Sequence, residues 1–269
     1  MASTASPSPL TRAATEGLQR LLDGPADPAR LNAALRHLAK WRAALLENTV
    51  VARSGDTVLA GPFAGMAYPV RAAEGSRTAR LLGGYEASLV PVIETLIARA
   101  YPLIIDLGAA EGYYAVGLAR RMPATTVMAR DMNPAARTLC AALAAANGVT
   151  AQLRIGAAMT HADFAVCTAQ PTAILCDIEG AEATLLDPAL APGLCHADLL
   201  VEVHEGAQPG LLATLTARFA PTHHITRIDR ALRPDLLPDW AGTLSDLDRL
   251  LLLWEWRATP TPWLWMDRK

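Results

Sequence analysis

The sequence predicts an α/β fold, a doubly wound and mainly parallel sheet preceded by a small helical extension, and three observations carry that prediction. From residue 101 onward short apolar runs alternate with helical patterns, and parallel neighbours need such crossovers because each strand must be re-entered from the same end. The runs are apolar throughout instead of at every second position, as expected of strands covered on both faces. The composition, 52% hydrophobic and 19% charged, is richer in apolar residues than an average soluble domain. Thick buried strands account for it.

At 269 residues the chain is long enough for one large domain with an appendage. Residues 1–9, rich in Ser, Thr, Ala and Pro, bury little and are expected to form a flexible tail. Residues 10–100 make the helical and hairpin extension. Within it, Asp27 followed by Pro28 signals a helix start, and Leu31, Leu35, Leu38, Trp41 and Leu45 recur at helical spacing, so that face is expected to pack on something. Thr49 to Leu59 reads as two short strands about a Ser54-Gly55-Asp56 turn, because β-branched residues flank a turn cluster. Tyr85 to Ala100 has the length and spacing of a helix, which Pro91 either kinks or begins.

The main domain is expected over residues 101–269. Its strands are predicted at Leu103 to Leu107, Thr126 to Arg130, Ala151 to Ile155, Ala173 to Ile178, Leu199 to His204, His223 to Ile228 and Arg249 to Trp256. Helices are predicted up to about Arg121 and from Pro134 to Ala146. Leu232 to Asp248 breaks the rhythm with Pro234, Pro238 and Gly242, and reads either as a lid over substrate or as a plain surface connection.

No apolar stretch approaches the roughly 18 uninterrupted residues of a membrane span, and Met1 to Pro9 lacks the basic-then-apolar pattern of a secretion signal. A cytoplasmic location with no membrane partner is the expectation. Cys140, Cys167, Cys176 and Cys195 lie far apart, forming neither a zinc-type pair nor a dense disulfide framework. A formal charge of -2 with scattered basic residues offers no general attraction for a phosphate backbone. Nucleic acid is therefore not the expected partner; a small-molecule acceptor is, and a homo-oligomer is compatible with the sequence.

Ligands of open α/β sheets bind beyond the carboxyl ends of the strands, so the residues that end each strand are the informative ones. The first strand runs Ile104-Ile105-Asp106-Leu107-Gly108-Ala109-Ala110-Glu111-Gly112-Tyr113-Tyr114: apolar residues, an acid, then a small-residue turn into a helix. Gly108 and Gly112 let backbone pass close to a ligand. The dinucleotide fingerprint wants three glycines in G-x-G-x-x-G order, and here an acid precedes the turn instead. That carboxylate would repel a pyrophosphate. It suits a ligand with an ammonium group and a sulfonium but no phosphate, and S-adenosylmethionine (SAM) is such a ligand. Asp106, Gly108, Ala109, Glu111, Gly112 and Tyr113 are the candidate lining residues.

The second strand ends at Asp131, with Met132 beside it. Its carboxylate is placed to accept both hydroxyls of a ribose, or to cap a helix ahead of Asn133-Pro134. Further on, Asp177-Ile178-Glu179-Gly180-Ala181-Glu182 puts three carboxylates where an apolar run meets a helix. Such crowding calls for the sulfonium side of the cofactor, a bound divalent ion, or stabilisation of Glu179 and Glu182 by a helix N-terminus. Glu202 and His204 fall on one side of the next strand because side chains alternate. His204 is a candidate base for an acceptor hydroxyl, and Glu202 a group that orients it or helps hold a metal; a buried histidine satisfied by backbone is the competing reading. Trp254, Trp256, Trp263 and Trp265 read as packing residues, His223 and His224 as structural, and Glu255 with Arg257 as either an ion pair near the pocket mouth or a solvated strand face.

At these residues the chain resembles the FkbM-type family of class I SAM-dependent methyltransferases. The resemblance spans roughly residues 61–265 and rests on Ile105-Asp106-Leu107-Gly108 with Glu111-Gly112-Tyr113-Tyr114, on the D-x-E-G-x-E run from Asp177 to Glu182, and on Val201-Glu202-Val203-His204. Gly61 to Met66 and Leu82 to Glu86 resemble the approach segment of bacterial relatives. The resemblance implies a seven-stranded sheet with a reversed last hairpin, SAM as methyl donor, and an oxygen acceptor on a sugar, lipid or secondary metabolite. It further implies Asp106, Gly108 and Gly112 at the methionine end of SAM, Asp131 at its ribose and Asp177 near the transferred methyl. Ala110 departs from the glycine that many class I enzymes carry there. Two other classes compete: a nicotinamide-dependent oxidoreductase, disfavoured by the missing third glycine, and a non-catalytic SAM-binding partner protein, disfavoured by the cluster at Asp177 and His204.

Overall fold

Two helices open the described chain, which in the computed structural model comprises residues 6–257 and 259–269. Of the expected tail, residues 1–5 lie outside that range, and Ser8 already caps α1 (Pro9–Leu22) by accepting the Thr11 N–H. α2 (Pro28–Ser54) starts as the sequence predicts, with Asp27 accepting the Ala29 N–H ahead of Pro28. It then runs to Ser54 through the first strand of the predicted hairpin, and of the second only Thr57 pairs, in an isolated bridge with Ala67 beyond the hairpin. Leu46 and Val50 anchor these last turns in the main core, and that burial outweighs the weaker helix propensity of β-branched residues. The buried face also differs from the expected one: Leu31, Leu35 and Leu38 are exposed, whereas Ala34, Ala43, Leu46 and Val50 are buried. Small residues face inward in the first half because α1 packs closely there, with Gly17 against the His37 ring.

α3 (Arg77–Leu82) and α4 (Val90–Arg99) follow. Residues 77–99 include an 18-residue window of mean hydropathy 1.3, but the backbone breaks inside it, with left-handed residues at Gly83 and Glu86. Pro91 sits in the first turn of α4, where its missing N–H needs no partner. It begins the helix.

The remaining elements are β1 (Leu103–Leu107), α5 (Tyr113–Arg121), β2 (Thr126–Arg130), α6 (Pro134–Ala146), β3 (Thr172–Cys176), α7 (Glu182–Leu185), β4 (Ala197–Glu202), α8 (Leu211–Phe219), β5 (His223–Ile228), α9 (Asp246–Leu252) and β6 (Trp263–Arg268). The sheet has six strands in the order β2-β1-β3-β4-β6-β5. The first four run parallel, and β6 is antiparallel to both its neighbours, as a reversed last hairpin requires.

Seven strands were expected, and two of the predicted ones are not strands. Ala151 to Ile155 lies beyond β2 at the sheet edge and contributes one isolated bridge, Leu153 with Val127, with a second just after it, Gly156 with Arg130. Its Arg154 N–H donates to the Val127 carbonyl at 2.8 Å, so the edge is covered without a continuous ladder. Arg249 to Trp256 forms the end of α9 and the turn after it, a helix begun by Ser245 accepting the Asp248 N–H. The final strand lies later, at β6.

Apolar side chains cover both faces of the sheet. Leu103, Ile105, Leu107, Leu199 and Val201 fill one side, and Ile104, Leu175 and Leu200 meet Leu46, Val50 and Phe63 of the extension on the other. Residue 100 is therefore no boundary in the packing. Residues 232–248 sit on α2, through the Arg42–Asp248 ion pair at 2.6 Å and a Trp240 indole N–H donated to Ser54 Oγ at 3.2 Å. None of them lines the cavity at the sheet's C-terminal edge.

Candidate active site

After β2 the chain crosses back over β1 to reach β3, and the strand order reverses between those two strands. Loops that leave neighbouring strands in opposite directions open a crevice. A cavity of about 660 Å³ lies there, well within the range of small-molecule sites. Of the residues the sequence assigned to a cofactor, Asp106, Gly108, Ala109, Glu111, Tyr113, Asp131, Met132 and Asp177 line it. Gly112 does not. It precedes α5 with a φ of 93°, packed against the Cys140 sulfur.

Gly108 has a φ of +79°, and a Cβ there would overlap the backbone oxygen of Asp177. The turns after β1 and β3 thus touch backbone to backbone, tied by the Asp177 N–H donating to the Leu107 carbonyl at 2.9 Å. Ala110 adopts the left-handed region too, with a φ of 48°, which costs a non-glycine residue about 1–2 kcal/mol. Glycine gives back about 0.5–1 kcal/mol through its freer unfolded chain. Ala110→Gly is therefore expected to stabilise the protein by about 0.5–1 kcal/mol, read as a higher urea midpoint with an unchanged m-value.

Asp106 is buried, and its Oδ2 has no hydrogen-bond partner among the described residues. Burial first, then the charges of Asp131 and Glu111, push its carboxyl up to about 7, against the stabilising Ala115 N–H. Asp131 stands one strand over. Its Oδ2 accepts the Ala110 N–H at 2.9 Å and its Oδ1 the Asn133 N–H at 2.7 Å, which leaves about half of the carboxylate's acceptor positions free. The cap of α6 is Asn133, accepting the Ala135 N–H, so Asp131 is spared that duty.

Glu111 lines the cavity, but both oxygens of its carboxylate are already engaged. It accepts from the Tyr68 hydroxyl and the Ala73 N–H, and pairs with Arg80 Nε at 3.0 Å. Arg80 is itself buried, stacked 3.9 Å from the Tyr85 ring centroid, and donates to the Glu74 and Ser76 carbonyls. Glu111 therefore positions a cation on the cavity wall more directly than it meets a ligand.

The acids after β3 and the end of β4 converge. His204 Nε2 lies 3.5 Å from Asp177 Oδ1, 3.4 Å from Glu179 Oε2 and 3.8 Å from Glu202 Oε2, while Nδ1 is 2.8 Å from Glu182 Oε1. Asp177 and Glu179 line the cavity, and the imidazole sits behind them, so it is not placed as a base on the cavity wall. Burial, followed by the Glu202 and Glu86 charges, holds Asp177 well above the ordinary carboxyl range. Burial lowers His204, but its bond to Glu182 and the charges of Glu202, Glu182 and Glu179 outweigh that and leave it above the usual imidazole value. For Glu182 burial acts upward, and the His204 bond with backbone N–H donors brings it below the usual value.

No protein-family profile matches the chain, the FkbM-type one included, and no curated protein matches it. Among solved structures, a protein of Klebsiella pneumoniae provisionally named an O-methyltransferase is 12% identical, with 95% of this chain and 96% of that one covered, at a TM-score of 0.44. The O-methyltransferase TomG of Streptomyces achromogenes, in complex with SAM, is 11% identical over 66% of this chain and 78% of its own, at 0.42. An O-methyltransferase of Bacillus cereus in complex with SAH is 10% identical over 81% and 91%, also at 0.42. None of these scores reaches one half, and none assigns a role to a residue here.

Two residues of the site escape the sequence reading, and a third has a role it left open. Arg80 and Glu74 come from the extension, far in sequence from the glycine turn, yet both line the cavity. The available signal was a lone arginine within the apolar Ala79-Arg80-Leu81-Leu82 run. Glu182 is named in the sequence with the acids of its run, with helix N-terminal stabilisation among the readings; it is fully buried and holds the His204 ring.

Proposed function

We propose that the chain is a SAM-dependent methyltransferase acting on the hydroxyl of a small molecule. The observation that carries this is the buried Asp106 carboxyl beside the Gly108 turn, at the switch point of the sheet, whose Oδ2 has no hydrogen-bond partner among the described residues. Around it stand the acids Glu74, Asp131, Asp177 and Glu179, an environment that favours a cationic ligand and opposes a pyrophosphate. The residues present fit SAM. Asp106 would take the ammonium group, Asp131 the ribose hydroxyls, and Arg80, the buried cation of this wall, the methionine carboxylate. Bound there, SAM supplies a methyl carbon activated by positive sulfur. The protein's part is then to hold the acceptor in line and keep water out, and Asp177 and Trp263, both on the cavity wall, are placed to do so.

Calorimetric titration with SAM tests the reading, with NAD as the control. The folded chain is expected to bind SAM and not NAD; failure to bind SAM overturns it. A pH series adds a signature of the site. Because the free Asp106 carboxyl is held up to about 7, a cation that needs the carboxylate must displace a proton below that pH. SAM affinity is thus expected to fall by about tenfold from pH 7 to pH 5.5, and Asp106→Asn to bind weakly with that pH dependence removed. An unchanged slope in the variant assigns the proton to another group.

A further inference from the structure

We propose that Asp177, Glu179 and His204, with Glu202 at their side, form a site for one divalent transition-metal cation at the edge of the cavity. The donor atoms of Asp177, Glu179 and His204 lie within 4.8 Å of one another. His204 Nε2 stands 3.4–3.8 Å from three carboxylate oxygens, and it makes no hydrogen bond among the described residues. Ligands held about 2.1 Å from a shared ion lie about 3 Å apart at right angles and about 4.2 Å apart when opposed. The spacings match a ligand shell slightly open around its centre.

The second observation is the histidine itself. It is 7% exposed, and its Nδ1 is bound at 2.8 Å to the fully buried Glu182. With the proton on Nδ1 shared with that carboxylate, the Nε2 lone pair is directed at the centre of the three acids. A carboxylate that orients a histidine through its far nitrogen is the arrangement that metal-binding histidines commonly use. Charge points the same way. Asp177, Glu179, Glu182 and Glu202 surround one imidazole, and the nearby Arg257 is already shared among Glu202, Glu86 and Glu255.

Carboxylate oxygens with one imidazole favour a first-row divalent ion such as Mn²⁺ or Zn²⁺ over Ca²⁺. Asp177 and Glu179 face the cavity, so an acceptor oxygen bound to the ion would be held beside the methyl donor and made more acidic. That role rests on the SAM reading; the site does not.

The test uses the full chain, stripped with a chelator, desalted and titrated calorimetrically with Mn²⁺ and with Zn²⁺. One ion per chain is expected to bind saturably, and Glu179→Gln to weaken it by at least about tenfold. The Glu179 side chain is 68% exposed, so that variant keeps its fold, which thermal melting verifies. His204→Gln is expected to remove saturable binding. If neither ion binds saturably to the folded chain, or if Glu179→Gln binds as tightly as the original, the proposal fails. A parallel titration with SAM separates the two readings: SAM binding without metal overturns this site alone, and metal binding without SAM overturns the methyltransferase assignment and leaves the site.

Discussion

Gly108→Ala is expected to destabilise the protein by about 3 kcal/mol or more and to abolish measurable SAM binding. Two separate terms produce the loss. The backbone at φ +79° disfavours any residue with a Cβ by about 1–2 kcal/mol, and the new methyl must displace the Asp177 carbonyl oxygen, an overpacking term of about 1–3 kcal/mol. The second term acts on the site, because Asp177 N–H and the Leu107 carbonyl tie the two turns together, and pushing them apart moves Asp106 away from Asp177. Gly148→Ala is the control. Gly148 has a φ of +69° with nothing near its missing Cβ, so it carries the backbone term alone and is expected to cost about 1 kcal/mol with SAM binding unchanged. Urea midpoints and SAM titrations of both variants check this; equal losses would mean that the β1–β3 turns are not in close contact.

Sequence legibility followed how local each physical cause is. β1, β3 and β4 announce themselves as apolar runs because both their faces are covered, and the turn at Gly108 is legible because left-handed backbone and close approach demand glycine. The residues that failed are those whose state is decided at long range. Val50 and Val51 favour a strand locally, yet they stay in α2 because Val50 is buried against the sheet's core. Leu250 to Leu253 are as apolar as any strand, but the Ser245 cap starts a helix there, and the true last strand hides behind Pro260 and Pro262. Arg80 is invisible and the role of Glu182 undecided for the same reason: a buried charge is identified by its partner, and Glu111 and His204 are distant in sequence.

Arg257→Met is expected to destabilise the protein by about 3–5 kcal/mol, because it leaves the buried carboxylates of Glu86 and Glu202 without their counter-charge, while Glu255 keeps Arg230 at 2.9 Å. Arg257 pairs at once with Glu86, Glu202 and Glu255, each at most 3% exposed at the side chain. Burial, then the Glu202 charge, already hold Glu86 up to about 8 even with Arg257 opposing them. An acid whose folded pKa exceeds its unfolded one binds its proton more tightly when folded, so its stabilising effect is full below the unfolded value and is lost as pH rises through the folded one. Removing the guanidinium raises Glu86 further and extends that loss to higher pH. The deficit of Arg257→Met relative to the original chain is thus expected to be larger at pH 8.5 than at pH 6, measured by urea unfolding at both. Adding Glu86→Gln takes one charge out of the uncompensated set, and the double variant is expected to recover part of the loss, with the recovery concentrated at pH 8.5. A deficit independent of pH would show that Arg257 acts through packing of its stem and not through the three carboxylates it joins.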